Sequence, residues 1–245
     1  MVDGTGMSIT ATLKKGNAEI ASTTYHAADY AVRVLTDPAV ATYLSTNKGY
    51  SNRKIQKLKD LCESLLWYSL KAQTQLNYTA TDAKLVSDVS ALVANYEPLD
   101  PHEITLYPSD VIDFTAYGLD GYVGSTMQLN SETTYSIFFR VTDVERASAV
   151  TATAFINDKE YDTEAYLVED TNGVQNAFLR VDIKDIPAKE ITDVITVTFN
   201  ETTTFYVSSK AYIKSALTYG DATLIDTVTA IYTYNQKAIA YFEEA

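Results

Sequence analysis

The sequence predicts an α+β fold, in which an antiparallel β-sandwich is combined with amphipathic helices from a partial internal repeat. Two observations support this fold class. A helical pattern of apolar residues occurs twice, once in each half of the chain, and a series of short strands separated by turn residues lies between the two copies. Regular short strands are typical of a sandwich, whereas parallel-sheet folds alternate strands with helices.

The repeated segment spans residues 54–78 in the first copy and residues 224–242 in the second. When the copies are aligned, similar residues recur three and four positions apart, which is the period of one face of an α-helix. Each copy is therefore predicted to be an amphipathic helix that packs against another element, preceded by two strands and a short helix. The matched pairs are Leu58/Leu224, Cys62/Val228, Leu65/Ile231, Tyr68/Tyr234, Ala72/Ala238 and Leu76/Phe242.

The segment EPLDP at residues 97–101 is the predicted domain boundary, because prolines interrupt both helices and sheets. Residues 1–98 are predicted to form a partial repeat with a β-hairpin plus helices. Residues 99–245 are predicted to form a β-sandwich followed by a helical hairpin. The strands predicted in this second domain are 103–107, 111–117, 122–129, 133–141, 150–156, 163–168, 177–183 and 193–207.

Charge and composition exclude several classes of protein. The net charge of −13 argues against binding to nucleic acids and to anionic lipid surfaces, because both attract basic proteins. No apolar run is long enough to span a bilayer, and no signal-peptide pattern begins the chain. Cys62 is the only cysteine, which excludes an internal disulfide and a cysteine-based zinc site. The 19 tyrosines are typical of secreted β-rich modules that contact sugars or other proteins.

The sequence contains no pattern that indicates catalysis. Its two histidines, His26 and His102, lie far apart, and no G-x-S-x-G motif is present. Phosphate-binding and dinucleotide-binding motifs are also missing. We therefore expect a protein that is not an enzyme and that binds no cofactor or metal. One alternative is a structural calcium ion near Asp110, Asp113 and Asp120, although these acids lack the spacing of a compact calcium-binding loop.

Trp67 is the first candidate ligand-binding residue. In a helical projection it lies about half a turn from the apolar stripe, on the same side as Asp60 and Lys71. An indole face stacks on a sugar ring, and the flanking charged groups supply hydrogen bonds to the sugar hydroxyls. The alternative, which the pattern favours, is that another element such as residues 81–95 covers the indole.

The segment YGLDGY at residues 117–122 is the second candidate site. Tyr117 and Tyr122 flank a turn bracketed by glycines, and Asp120 lies between them. This turn is expected at one end of the sandwich, where binding loops commonly lie. The alternative, equally supported, is that both rings pack over the rim of the sandwich as structural residues.

Three segments resemble a module of secreted and cell-surface proteins of gut clostridia and ruminococci, which are associated with polysaccharide-degrading amylosomes and cellulosomes. They are AKEITDVITVTF at residues 188–199, YHAADYAVRVL at 25–35 and YSLKAQTQLNY at 68–78. The C-terminal copy keeps the third motif at residues 234–242 but only a trace of the second. The resemblance implies an extracellular or cell-surface location, and it supplies no catalytic residues.

The leading functional hypothesis is a non-catalytic extracellular protein that binds a polysaccharide. Starch-like α-glucans are the preferred ligand because of the resemblance, since some proteins that contain such modules bind starch. The alternative is a structural or protein–protein interaction module of a bacterial cell-surface assembly. The expected partners are a polysaccharide and other modules of the parent protein, with no nucleic acid and no membrane insertion.

Overall fold

The chain forms two compact units. Unit 1 contains Met1–Pro101 and Tyr219–Ala245, and unit 2 contains His102–Thr218. The structure, a computed structural model, describes residues 8–78, 83–106, 112–129 and 133–244. Within these residues, no helix combines the length and the hydropathy needed to span a membrane.

Helices and strands both contribute substantially to the fold. The described helices are α1 (Ala27–Thr36), α2 (Pro38–Lys48), α3 (Asn52–Gln75), α4 (Ala83–Leu92), α5 (Val144–Ser148), α6 (Ser209–Tyr219) and α7 (Ala222–Phe242). The described strands are β1 (Ser8–Lys15), β2 (Ala18–His26), β3 (Leu119–Leu129), β4 (Thr133–Val141), β5 (Ala152–Ile156), β6 (Lys159–Tyr161), β7 (Thr163–Val168), β8 (Phe178–Ile183), β9 (Ile195–Phe199) and β10 (Thr203–Val207). All their pairings are antiparallel, so the fold is mixed α+β with antiparallel sheets, as predicted.

The two copies of the repeated helix, α3 and α7, pack against each other in unit 1. They run antiparallel, because Thr223 at the start of α7 donates a hydrogen bond to Gln75 at the end of α3. The matched residues Tyr68 and Tyr234 stack with their ring centroids 6.0 Å apart. When two copies of a segment are related by a two-fold axis, equivalent residues contact each other near that axis. The stacking of Tyr68 on Tyr234 shows that α3 and α7 pack in this isologous way.

This packing changes the predicted domain division. The junction between the units at Pro101 lies close to the predicted boundary, but α7 belongs to unit 1 and not to the β-rich unit. The sequence prediction assigned α7 to residues 99–245 because it follows the strands along the chain. Its apolar face instead packs against α3, and Val228, Ile231 and Ala238 are buried. The final matched pair, Leu76 and Phe242, is exposed because both residues lie at the C-terminal ends of their helices.

Helix α2 was not predicted, because residues 39–51 show little apolar periodicity. Its boundaries are set by local chemistry. The carboxylate of Asp37 accepts a hydrogen bond from the amide of Ala39, and Pro38 occupies the first turn, where its missing N–H costs nothing. Gly49 ends the helix with φ of 68°, in the left-handed region that glycine adopts readily.

Unit 2 contains two four-stranded sheets, with strand orders β3-β4-β8-β7 and β10-β9-β5-β6. Phe139 of the first sheet contacts Phe199 and Phe205 of the second, with ring centroids 5.2 and 5.5 Å apart. Phe114, from the segment before β3, contacts all three of these rings. These four aromatic residues form the aromatic core of unit 2. Among the strands that the structure describes, β3 and β10 lie at the edges of their sheets.

The single strand predicted at residues 193–207 is a hairpin of β9 and β10. Asn200 and Glu201 form its turn, and both have positive φ, 45° and 58°. Such turns normally contain glycine, which the sequence lacks here, so the turn was missed. The side chain of Asn200 accepts a hydrogen bond from the amide of Thr151 at 2.7 Å, which holds the turn in place.

The strands predicted at residues 103–107 and 111–117 are not confirmed in the described residues. Pro101–Glu103 and Thr115–Tyr117 form single turns of 3₁₀-helix, and residues 107–111 lie outside the described part of the chain. The carboxylate of Asp113 accepts a hydrogen bond from the amide of Thr115 at 2.9 Å. This local bond stabilises a turn in competition with strand pairing.

A buried polar network connects β4, β7 and β8 on the other face of their sheet. Asp182 accepts hydrogen bonds from the Ser136 hydroxyl at 2.6 Å, from Arg180 Nε at 2.7 Å and from the Tyr166 hydroxyl at 2.8 Å. The Arg180 guanidinium also lies 5.7 Å from the ring centroids of Phe138 and Tyr166. The buried carboxylate is therefore paired and fully hydrogen-bonded, as its burial requires.

Candidate functional site

A cleft of about 210 Å³ lies beside the edge strands β3 and β10 of unit 2. Its lining is mostly apolar and includes five aromatic residues. They are Phe114, Tyr122, Tyr135, Phe205 and Tyr206. Ligand sites for drug-sized molecules start at roughly 300 Å³, so this cleft matches a single ring-sized group better than a large ligand.

Tyr122 reaches the cleft from an irregular part of β3. The pairing of β3 with β4 shifts register between Leu119 and Gly121, and again between Tyr122 and Gly124. Bulges of this kind bend a strand and redirect its side chains. The Tyr122 ring contacts Phe139 at a centroid distance of 6.0 Å and is 45% exposed. One side of the ring is thus supported by the aromatic core while part of it remains open to solvent.

Tyr206 lines the cleft from β10. It is 38% exposed, whereas its neighbour Phe205 is buried in the aromatic core. The short hairpin turn and the pairing of β10 with β9 hold this part of the chain in a defined register. The cleft therefore combines two partly exposed tyrosine rings, Tyr122 and Tyr206, on strands that do not need to become ordered when a ligand binds.

The polar groups of the cleft are neutral. Tyr135 is buried, and its hydroxyl donates a hydrogen bond to the carbonyl oxygen of Ser208 at 3.2 Å. Burial, reinforced by the neighbouring Tyr122, raises the pKa of Tyr135. The phenol therefore remains protonated at neutral pH. Asp, Glu, His, Lys and Arg are all missing from the described residues that line the cleft. The lining offers apolar ring contacts and hydroxyl hydrogen bonds, which suit an uncharged ligand.

The structure places Tyr117 in the core, which corrects its prediction as a ligand-binding residue. Its side chain is 8% exposed, its ring contacts Phe199 at 5.5 Å, and its hydroxyl donates to Thr203 at 2.6 Å. The following Gly118 has φ of 71°, and an added Cβ would lie 2.5 Å from the carbonyl oxygen of Asp143. Glycine is therefore required at this position, directly after the buried Tyr117. Tyr117 is therefore a structural residue, which was the alternative to a ligand-binding role. Tyr122 is the tyrosine of this segment that lines the cleft.

Asp120 is exposed at the start of β3 and does not line the cleft. The prediction placed it between two exposed tyrosines of one turn. Because Tyr117 points into the core and Gly121 lies within a bulged strand, the three residues do not converge on one site.

Trp67 is half-buried against another aromatic ring. Its ring lies 5.4 Å from that of Tyr96, at an interplanar angle of 39°. Tyr96 follows α4 in the chain. The indole is therefore partly covered by a residue next to the segment 81–95, which the sequence analysis named as a possible cover. Lys71 Nζ also lies 5.5 Å from the Trp67 ring centroid, so the indole contacts a second side chain of unit 1.

Lys71 and Asp60, the predicted polar partners of Trp67, are engaged within unit 1. Lys71 forms an ion pair with Asp226 of α7 at 2.6 Å, and Asp60 accepts a hydrogen bond from Gln56 at 2.8 Å. In the aligned repeat, Lys71 of α3 matches Lys237 of α7, and Asp60 of α3 matches Asp226 of α7. The four residues therefore form two pairs of equivalent positions in the two helices. Their roles are more simply explained by helix packing than by ligand binding.

The remaining reactive groups do not form a catalytic arrangement in the described residues. His26 precedes α1, where its amide donates to the carboxylate of Asp29 at 3.0 Å, and His102 is exposed. Burial raises the pKa of the Cys62 thiol to about 12, so the thiol is uncharged at neutral pH. Among the described residues, no three His, Cys, Asp or Glu side chains are placed to hold a metal ion. Asp110, part of the calcium alternative, lies outside them.

Tyr206 is the site residue that the sequence patterns did not single out. The prediction of one long strand at residues 193–207 gave no reason to separate it from the other residues of that strand. A usable signal was present, because Thr204 and Tyr206 alternate with Phe205 and Val207 and thus mark one more polar side of the strand. The alternation did not show that Tyr206 would lie near Tyr122, because the two residues are far apart in the sequence.

A comparison with known protein families and with curated protein sequences finds no match to this chain.

Proposed function

We propose that this protein is a non-catalytic carbohydrate-binding protein, which binds one ring or the chain end of a neutral polysaccharide beside Tyr122 and Tyr206. A starch-like α-glucan is the preferred ligand, and the proposed location is extracellular or at the cell surface. Both of these choices rest on the sequence resemblance. The observation that supports the proposal best is the presence of two partly exposed tyrosine rings at one preformed apolar cleft.

The chemistry of the cleft supports a sugar in preference to a charged or purely apolar ligand. Sugar rings present apolar C–H faces that pack on aromatic rings, and hydroxyls that require hydrogen-bond partners. Tyrosine supplies both in one side chain. The neutral lining matches an uncharged glycan, and strand-borne residues bind without a large cost of ordering. Nothing in the described lining supplies a nucleophile and base pair, in line with a binding role.

The proposal includes a β-sandwich in unit 2, formed by the sheets β3-β4-β8-β7 and β10-β9-β5-β6. The ring contacts of Phe139 with Phe199 and Phe205 support face-to-face packing of these sheets. In this arrangement the edge strands β3 and β10 lie on the same side, and the cleft forms between them. Sheet edges and loops at the ends of sandwiches are common positions for ligand sites.

Replacing Tyr122 or Tyr206 with alanine is expected to weaken binding of maltooligosaccharides about fivefold for each variant. The reason is that loss of one stacked ring costs about 1 kcal/mol. Isothermal titration calorimetry with a maltooligosaccharide series, and depletion of the protein by insoluble starch, measure the effect.

Tyr43→Ala is the matched control, because Tyr43 is an exposed tyrosine on α2 in the other unit. It should bind like the parent protein. If Tyr122→Ala and Tyr206→Ala fold normally and also bind like the parent, the cleft is not the site. If the parent binds no glucan, cellulose or other neutral glycan, the alternative of a structural or interaction module gains support.

Trp67→Ala is expected to leave glycan binding unchanged and to lower the stability of unit 1. The ring packs on Tyr96 and interacts with Lys71, so its removal takes away buried contacts. Thermal unfolding and the same titrations test both statements. If a folded Trp67→Ala variant loses glycan binding, the glycan binds at Trp67 on α3 and not in the cleft.

A further inference from the structure

The cleft of unit 2 has few groups that can form hydrogen bonds with a ligand. Its described lining contains four residues with a hydroxyl group, Tyr122, Tyr135, Tyr206 and Ser208, and its other side chains are apolar. Tyr122 and Tyr206 are partly exposed, whereas Tyr135 and Ser208 are buried. The bonds that the two buried residues already make determine what the buried wall of the cleft offers to a ligand.

The hydroxyl and the carbonyl group of Ser208 are both occupied within the protein. The Ser208 hydroxyl donates to the carbonyl oxygen of Thr192 at 3.2 Å and accepts from the amide of Lys210 at 3.3 Å. The Ser208 carbonyl oxygen accepts from the amide of Ala211 at 3.1 Å and from the Tyr135 hydroxyl at 3.2 Å. A carbonyl oxygen has two lone pairs, so both are used. Ser208 is therefore a structural part of the wall.

The Tyr135 hydroxyl keeps one kind of hydrogen-bonding capacity. Its single hydrogen points to the Ser208 carbonyl, and burial raises the pKa of Tyr135, so the hydrogen remains on the oxygen at neutral pH. A phenol oxygen accepts a hydrogen bond as well as donating one. Tyr135 can therefore accept from a ligand but cannot donate to it. In an uncharged glycan, the group that donates is a free hydroxyl.

We infer that Tyr135 determines the specificity of the glycan cleft by accepting a hydrogen bond from a free hydroxyl of the bound ring. This inference rests on the proposed function, and it narrows the ligand to a ring whose buried edge carries an unsubstituted hydroxyl. A methoxyl or acetyl group at that position cannot donate a hydrogen bond, and it would leave the Tyr135 oxygen without a partner in an apolar site. The cleft thus separates unsubstituted glycans from O-substituted ones.

Monodeoxy derivatives of methyl maltoside test which hydroxyl is recognised. Removing one particular hydroxyl is expected to weaken binding to the parent protein about fivefold, the effect of losing one neutral hydrogen bond. Tyr135→Phe should weaken binding of methyl maltoside by a similar factor. That deoxy derivative should bind to Tyr135→Phe as well as methyl maltoside does, because both changes remove the same hydrogen bond. Isothermal titration calorimetry measures all four affinities.

Tyr117→Phe is the matched control, because it removes a buried hydroxyl of the same unit that donates to Thr203 and is not among the described lining residues. Ser125→Ala is a second control, since the Ser125 hydroxyl lowers the pKa of Tyr135 by hydrogen bonding but is also not part of that lining. Both variants should bind methyl maltoside like the parent. Thermal unfolding checks that each variant is folded.

The ligand series alone keeps the inference falsifiable, because it needs no variant. If every monodeoxy derivative binds the parent as tightly as methyl maltoside does, the inference is wrong. Equal affinities of Tyr135→Phe and either control also overturn it, as does a loss for the deoxy derivative that persists in Tyr135→Phe. In these outcomes the parent still binds methyl maltoside, and the proposed function stands. A parent protein that does not bind methyl maltoside contradicts the proposed α-glucan ligand and, with it, this inference.

Discussion

Replacing Phe199 with alanine is expected to destabilise unit 2 by about 3–5 kcal/mol, the cost typical of removing a fully buried phenylalanine ring. Phe199 is completely buried and contacts the rings of Phe114, Tyr117, Phe139 and Phe205. Its removal leaves a cavity among aromatic rings that are held by two different sheets and therefore relax little. The loss is a large part of the stability of an ordinary domain.

Calorimetry and urea unfolding measure this effect, and the thermal transition of unit 2 should fall by roughly 10–20 °C. Tyr206→Ala is the control within the same unit, because it removes a similar number of atoms from a partly exposed ring on β10. We expect it to cost less than half as much. A loss below about 1 kcal/mol for Phe199→Ala would contradict the central position of this ring.

Asp182→Ala is expected to cost about 3–5 kcal/mol, because it leaves the largely buried guanidinium of Arg180 without its carboxylate. The hydroxyls of Ser136 and Tyr166 also lose their acceptor. Glu164→Gln provides the matched control, since Glu164 lies in the same row of the sheet and pairs with Lys184 at 2.8 Å in an exposed position. That surface pair is expected to contribute about 0–1 kcal/mol. Equal losses for the two variants would contradict the buried network.

The same carboxylate gives a pH-dependent contribution to stability. Burial acts to raise the pKa of Asp182, but hydrogen bonds from Ser136, Arg180 and Tyr166 outweigh it, so the pKa lies below its ordinary value. A lowered pKa in the folded state means that the ionised carboxylate stabilises the fold above the unfolded value of about 3.9. This contribution is lost as the pH falls through the folded pKa.

Urea unfolding at a series of pH values should therefore show the parent protein and Asp182→Asn converging in stability as the pH falls below about 4. Comparison with Asp182→Asn cancels the protonation of the other carboxylates, which both proteins share. A difference in unfolding free energy that stays constant down to low pH would mean that the pKa of Asp182 is not lowered by folding.

The sequence by itself determined the elements whose periodicity is local and strong. The repeated helices, the hairpin at the N-terminus and the mixed α+β class follow from spacing within short segments. Strand β4 was predicted with its observed bounds, because Tyr135, Ile137 and Phe139 form a row of apolar residues at every second position. The predictions failed where side chains set the backbone locally without a periodic signal, as at Asp37 before α2 and at Asn200 between β9 and β10.

Only the tertiary structure decided which segments meet. Residues of α3 and α7 are separated by most of the chain, so no local pattern indicated that Tyr68 would stack on Tyr234 within one unit. The candidate site shows the same limit. Tyr117 and Tyr122 looked alike as tyrosines beside a turn. The Tyr117 ring nevertheless packs against Phe199 in the core, whereas Tyr122, on the bulged part of β3, remains partly exposed. Tyr206 joined the site because two strands distant in sequence both became sheet edges, a consequence of strand order that no single segment encodes.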